Sequence, residues 1–283
     1  MPVSVMSLPT TKPPELRAGR AAATGTDDFL GGRINVVQPR RGHRAGSDAV
    51  LLAASVPARA GERVLDIGAG VGVAGLCLLA RVPDAQVTAV EVDTELCALA
   101  ETNAARNGLA ERFTAVSADV TAPGRALSAS GLKRESYDHL MVNPPFHAEG
   151  RVRAAPDSGR ATAHVMHKDG LAAWIRFCAA MAAPGAQLTL IHRPDTLGEL
   201  LQLLAGRFGG VVIFPLFPRQ DEPAARILVQ ARKGSRAGLG LLPGLVLHED
   251  DGRYTDAAEA VLRGGQALDL GASGIKKGRR LGG

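Results

Sequence analysis

The stretch Arg63-Val64-Leu65-Asp66-Ile67-Gly68-Ala69-Gly70-Val71-Gly72 decides the fold. Its first five residues are a compact apolar run of strand length, and the glycines that follow at once read as a tight turn. Val73 to Arg81 then has helical composition and stops before Pro83. Strand, glycine turn and helix make the first unit of an open parallel sheet, and such sheets take ligands beyond the carboxyl ends of their strands. The next strand, Gln86 to Glu91, ends on an acid about 23 residues past Gly68, near where ribose-binding acids sit in such folds. Thr94 to Asn107 reads as a helix, with Leu96, Leu99 and Ala100 at helical spacing. A third strand, Arg112 to Ser117, runs into Ala118-Asp119-Val120.

A fourth apolar run, Tyr137-Asp138-His139-Leu140-Met141-Val142, leads directly into Asn143-Pro144-Pro145-Phe146. Two consecutive prolines remove two backbone donors and fix φ near about −65°, so the strand must stop there. What remains is a rigid turn with one amide side chain, carbonyls free of competing N–H groups, and an aromatic ring. A planar amino group needs that set: acceptors for its two N–H bonds and a flat surface for its ring. Asp66, Glu91, Asp119 and Asn143 thus all fall at or just past strand ends, where they can face one crevice.

The glycines alone are ambiguous. Gly70, Gly72 and Gly75 satisfy the G-x-G-x-x-G spacing of dinucleotide sites, a weak signal by itself. The fuller string Asp66-x-Gly68-x-Gly70-x-Gly72 resembles the first motif of class I S-adenosylmethionine methyltransferases. A dinucleotide brings a pyrophosphate to the helix N-terminus. Adenosylmethionine has none, so its turn needs close backbone approach more than anion affinity. A dehydrogenase has no evident use for Asn143 to Phe146, so the tetrapeptide favours the methyltransferase. That resemblance implies an α/β, Rossmann-like class I fold: a seven-stranded mixed sheet with a C-terminal antiparallel hairpin. Val211 to Phe217 and Arg226 to Ala231, joined by Pro218 to Pro223, have the spacing of that hairpin.

Composition sets the outer limits. The 283 residues are 46% hydrophobic, enough for a packed core, and the 33 basic and 28 acidic residues leave a net charge of +5. Cys77, Cys97 and Cys178 fall in predicted helices without metal spacing, as expected of buried thiols in a cytoplasmic protein that holds no metal. No run approaches a membrane span, and no signal-peptide core is visible. The positive charge is clustered. Arg40, Arg41, His43 and Arg44 precede the first motif, and Arg151, Arg153 and Arg160 follow Phe146. Several clusters flanking the strand ends read as an RNA-binding rim.

Elsewhere, Phe29 to Gln38 reads as a hairpin around Gly31-Gly32, and Ser47 to Val56 as a helix capped by Ser47. Residues 147–168 are polar and basic, which suits a mobile substrate loop. Asp169 to Met181 and Asp195 to Arg207 are predicted helices flanking a strand from Ala186 to His192. Leu245 to His248 reads as a short strand and Asp256 to Arg263 as a short helix.

From about Phe29 to Arg263 the chain resembles the bacterial tRNA1(Val) adenine-N6 methyltransferases. The resemblance is carried by Gly42-His43-Arg44-Ala45-Gly46-Ser47-Asp48-Ala49-Val50-Leu51-Leu52, by Leu65 to Gly70, and by Asn143 to Phe146. Arg160 to His164 and Leu245 to Thr255 add to it. It implies S-adenosylmethionine as cofactor, tRNA as partner, and catalysis by Asn143, Pro144, Pro145 and Phe146. The cofactor would be bound by Ser47, Asp48, Asp66, Gly68, Gly70, Gly72, Glu91, Val92, Asp119, Val120 and Asn143, with Ser47 and Asp48 closing over its methionine end. Arg40, Arg41, Arg44, Arg151, Arg153 and Arg160 would meet the RNA. Three parts are expected: a disordered leader over 1–28, the methyltransferase domain over 29–235, and a C-terminal extension over 236–283 ending in a basic flexible tail. A guanine-N2 rRNA enzyme or a protein glutamine methyltransferase would use the same tetrapeptide. A nicotinamide oxidoreductase and a non-catalytic RNA-binding module are the rivals from other classes. Oligomeric state is not legible.

Overall fold

The computed structural model describes residues 24–42, 44–122, 130–145 and 170–271. A hairpin comes first, β1 (Thr24–Phe29) antiparallel to β2 (Ile34–Pro39), turning through Leu30, Gly31 and Gly32, all with positive φ. The strand therefore starts at Thr24, inside the stretch expected to be leader. Helix α1 (Ser47–Ser55) follows, capped by Gly46 and not by Ser47, which is already helical. Then come β3 (Arg63–Ile67), α2 (Val73–Arg81), β4 (Gln86–Glu91), α3 (Thr94–Arg106), β5 (Phe113–Ser117) and β6 (Tyr137–Val142). Beyond the undescribed segment lie α4 (Gly170–Met181), β7 (Ala182–His192), α5 (Leu197–Leu204), β8 (Phe208–Phe217) and β9 (Arg226–Lys233).

Strands β3 to β7 run parallel in the order β5-β4-β3-β6-β7, and β9 and β8 close the sheet as an antiparallel hairpin. This is the expected seven-stranded arrangement. Two short strands that the seven-strand expectation did not include, β10 (Gly240–Leu241) and β11 (Leu245–Val246), lie parallel to β8 at the sheet's end. The last helix, α6 (Asp256–Leu262), places Ala258, Val261 and Leu262 in the same apolar cluster as Val50, Leu51 and Leu52 of α1. Residues 236–271 are therefore built into the main core, where an extension had been expected. One core layer joins α1, α2 and α3 to one face of the sheet, and a second joins α4 and α5 to the other. Covering both faces of a parallel sheet in this way is what its two-sided apolar strands demand. Cys77, Cys97 and Cys178 are buried and free, as expected.

Asn103 of α3 and Asn107 at its C-cap both tie the N-terminal hairpin to that helix; Asn107 Oδ1 accepts from Asn35 N at 2.9 Å and its Nδ2 donates to the Asn35 carbonyl at 2.8 Å. The Asn103 amide on α3 is fully buried; its Oδ1 accepts from Val37 N at 2.9 Å, and its Nδ2 donates to the carbonyls of Val37 and Val71. Through the Val71 carbonyl the hairpin is thus joined to the glycine turn.

Candidate active site

Each glycine of the turn has its own reason. At Gly68 (φ 72°) a Cβ would lie 2.5 Å from the Trp174 ring, and at Gly72 (φ 88°) one would lie 2.9 Å from Phe113. Those two glycines make room for packing by protein side chains. Over Gly70 (φ 55°) nothing lies within 4 Å among the described residues, so this is where a ligand can come against the backbone. Of the three, Gly70 is the one whose Cβ position is open among the described residues.

Asp66 is 2% exposed, and its Oδ2 accepts from Gly75 N at 3.0 Å. Burial pushes its pKa up to about 7, helped by the Glu91 charge and opposed by the Gly75 N–H. Its folded pKa thus exceeds its unfolded value, so the native state holds the extra proton and loses stability as pH rises from 3.8 to about 7. Asp66→Asn removes the titrating group. The stability of the parent protein relative to that variant, read by thermal unfolding, should fall across this window; a constant difference would place the proton elsewhere.

The carboxylate of Glu91 folds back onto the turn. Oε2 accepts from Gly70 N at 2.9 Å, and Oε1 accepts from Val92 N at 2.8 Å and Asp93 N at 3.1 Å. A carboxylate offers about four lone-pair sites, so these bonds fix its direction and leave acceptor capacity. Val92 beside it is 44% exposed, an apolar side chain open at a strand end. Asp119 holds its own turn: Oδ1 accepts from Thr121 N at 2.8 Å and Thr121 Oγ1 at 2.6 Å, and Oδ2 makes no hydrogen bond among the described residues. Val120 next to it is buried.

Asn143 stands one residue past β6, with Pro144 buried behind it. Its Oδ1 is buried and has no hydrogen-bond partner among the described residues. Such an acceptor is costly to leave unmade, about 1–3 kcal/mol, and its presence at a strand end points to a donor that arrives from outside. His192, which the sequence did not single out, ends the adjacent strand β7; it is 5% exposed and its Nδ1 lies 2.8 Å from Thr196 Oγ1. Burial holds its pKa below the ordinary histidine value, against the pull of Asp195.

On the N-terminal side, Ser47 is exposed, and Asp48 Oδ2 accepts from Arg226 Nε at 2.9 Å. Arg40 is exposed and its Nε donates to the Thr24 carbonyl at 2.8 Å; Arg41 is exposed. Arg44 is paired with Asp27, whose carboxyl is held below its usual range by the Gln38 amide and by that guanidinium. Phe146, Arg151, Arg153 and Arg160 lie outside the described residues, as does His43. No helix among the described residues is long and apolar enough to cross a membrane, and no His/Cys/Asp/Glu group there could hold a metal.

Residues 44–171 match the family model of the methyltransferase small domain. A curated tRNA1(Val) (adenine(37)-N6)-methyltransferase from Cronobacter sakazakii is 30% identical over 62% of this chain and 68% of its own length. The chain belongs to the tRNA1(Val) (adenine(37)-N6)-methyltransferase family. The member from Aeromonas hydrophila is 28% identical over 79% of this chain and 90% of its own. A crystal structure from Agrobacterium tumefaciens, described as a predicted O-methyltransferase, has a TM-score of 0.66 and 32% identity, covering 78% of this chain and 97% of that one. The family's methyltransferase fold thus spans most of the described residues, with the glycine turn, Glu91 and Asn143 along its strand ends.

Proposed function

We propose that this protein transfers a methyl group from S-adenosylmethionine to N6 of an adenine in tRNA, beside the anticodon in a tRNA of the tRNA1(Val) type. The observation that carries it is the buried, unpartnered Oδ1 of Asn143 on a double-proline turn. The residues present fit the cofactor. Gly70 leaves open space above the backbone, Glu91 presents a fixed carboxylate for ribose hydroxyls, and Asp119 Oδ2 is available to an adenine amino group. Val92 covers the face of the adenosine, Val120 lines it, and Ser47 and Asp48 close over the methionine end. When bound, S-adenosylmethionine supplies a methyl group on a sulfonium, already activated for displacement.

The exocyclic nitrogen of adenine is a poor nucleophile because its lone pair is delocalised into the ring. If Asn143 Oδ1 and the Pro144 carbonyl accept its two hydrogens, electron density returns to nitrogen as it attacks. Catalysis then rests on positioning and fixed dipoles, with no strong general base. Phe146 would stack on the extruded adenine. A hydroxyl carries one hydrogen for the two acceptors, Asn143 Oδ1 and the Pro144 carbonyl, which favours an amino group over the O-methylation named for the solved relative.

Exposed Arg40 and Arg41, with Arg44, Arg151, Arg153 and Arg160, would neutralise tRNA phosphates. The test incubates the enzyme with labelled S-adenosylmethionine and unmodified tRNA, rRNA or release factor, followed by nucleoside analysis. Label in N6-methyladenosine of tRNA is expected, with RNA affinity falling steeply as salt rises and less steeply after neutralisation of Arg40 and Arg41. Label only in guanine of rRNA, or only in protein, would transfer the proposal to a guanine-N2 or glutamine enzyme.

A further inference from the structure

The Asp48–Arg226 contact joins residues 178 apart in the chain. Strand β9 is antiparallel to β7 and pairs Ile227 with His192, so Arg226 comes level with the carboxyl end of β7. Because β7 is parallel to β6, with Leu190 opposite Val142, that level is also the Asn143 end of the sheet. Asp48 reaches it from the other side, in the first turn of α1. The entry to α1 has no side-chain cap of its own. It is held towards the hairpin by the Gln38 amide, which both accepts from Ala45 N at 3.0 Å and donates to Ala45 O at 3.3 Å. Towards the sheet it is held by Arg226.

We infer that Arg226 is a positioning residue: its Nε fixes one oxygen of Asp48 so that the other faces the amino-acid end of the cofactor. The inference rests on the assignment of Asp48 to that end of S-adenosylmethionine. Only Oδ2 of Asp48 is engaged among the described residues, and Oδ1 accepts no hydrogen bond there. With side chains 33% and 25% exposed, the pair is shielded enough to hold one geometry and open enough for a ligand to reach it. A carboxylate held on one oxygen by a guanidinium is pre-oriented to accept from the cofactor's ammonium with the other.

Charge alone predicts the opposite sign. A guanidinium beside an ammonium site repels the cation, so as a mere charged neighbour Arg226 would weaken cofactor binding and its removal would tighten it. Orientation predicts loss on removal, and the direction of the effect separates the two.

The experiment titrates S-adenosylmethionine, its neutral-sulfur product S-adenosylhomocysteine, and methylthioadenosine, which keeps the adenosine and a neutral methylated sulfur but lacks the amino-acid end, into the full chain by calorimetry. S-adenosylhomocysteine should follow S-adenosylmethionine. Arg226→Ala should raise the Kd of S-adenosylmethionine about tenfold, the scale of a hydrogen bond to a charged group, and leave that of methylthioadenosine unchanged. Unchanged methylthioadenosine binding also reports an intact fold. Arg226→Lys should recover only part of the loss, because an ammonium restores the charge without the direction of Nε. Asp48→Asn should show the same selectivity between ligands with and without the amino-acid end. Tighter or unchanged S-adenosylmethionine binding in Arg226→Ala, with Asp48→Asn still impaired, would overturn the positioning role alone. Equal weakening of all three ligands in Arg226→Ala would overturn it as well, by marking a general loosening. No loss in Asp48→Asn would instead remove the assignment of Asp48 on which the inference rests.

Discussion

Asn143→Ala should lower turnover about 10²–10³-fold while cofactor affinity stays near that of the parent, by analogy with deleting one preorganised polar group aimed at a reacting centre. The expectation follows from the state of Asn143 Oδ1, which is buried and accepts no hydrogen bond among the described residues. Its contribution can therefore appear only when a donor arrives. The same fact predicts the sign for stability. An unsatisfied buried acceptor costs about 1–3 kcal/mol, so the alanine variant should unfold at a temperature equal to or above the parent's. Loss of turnover with gain or retention of stability is the signature of a group kept for chemistry. Thermal unfolding and single-turnover transfer on the same preparation would check both. A variant that keeps most of its turnover at saturating tRNA removes the catalytic role; one that loses stability shows that the oxygen is engaged in the folded protein.

The sequence reading matched the structure where local chemistry and tertiary demand agree. For β3, α2, β4 and β6 the expected and observed limits coincide, because glycines, Pro83 and the Pro144-Pro145 pair punctuate largely buried apolar runs. It departed where tertiary pairing overrides a local signal. The strand expected from Ala186 begins at Ala182 and runs through Pro184 and Gly185, with the irregularity taken up opposite β6 between Tyr137 and His139. Helix α5 stops at Leu204 and not at Arg207, because Gly206 (φ 76°) takes the left-handed position just past the Ala205 cap. Strand β10 is two residues long, too short to show a period of two, whereas β11 falls at the start of the strand expected over Leu245 to His248. At the site, Glu91 and Asn143 could be placed at strand ends from pattern alone. The direction of the Glu91 carboxylate, the Trp174 ring over Gly68, the Asn103 clamp and the Asp48–Arg226 pair could not, since each depends on residues brought together only by the fold.

Glu91→Ala should weaken S-adenosylmethionine binding roughly tenfold to hundredfold, the worth of about 1.5–3 kcal/mol for hydrogen bonds to a charged group. Two contributions are mixed in that number. The carboxylate would accept from ribose hydroxyls, and it also receives the N–H groups of Gly70, Val92 and Asp93. Removing it would therefore release the one turn residue over which the described structure leaves open space, as well as deleting a ligand contact. Glu91→Gln separates the two, because an amide keeps one acceptor oxygen for the backbone and loses the negative charge; an intermediate loss is expected. Methylthioadenosine retains the ribose, so its affinity should fall in parallel with that of S-adenosylmethionine. That parallel loss is the opposite of the pattern expected at Arg226, where only the ligand with an amino-acid end should suffer. If a well-folded Glu91→Ala protein binds both ligands as the parent does, the carboxylate serves the turn alone and the ribose hydroxyls must be held elsewhere.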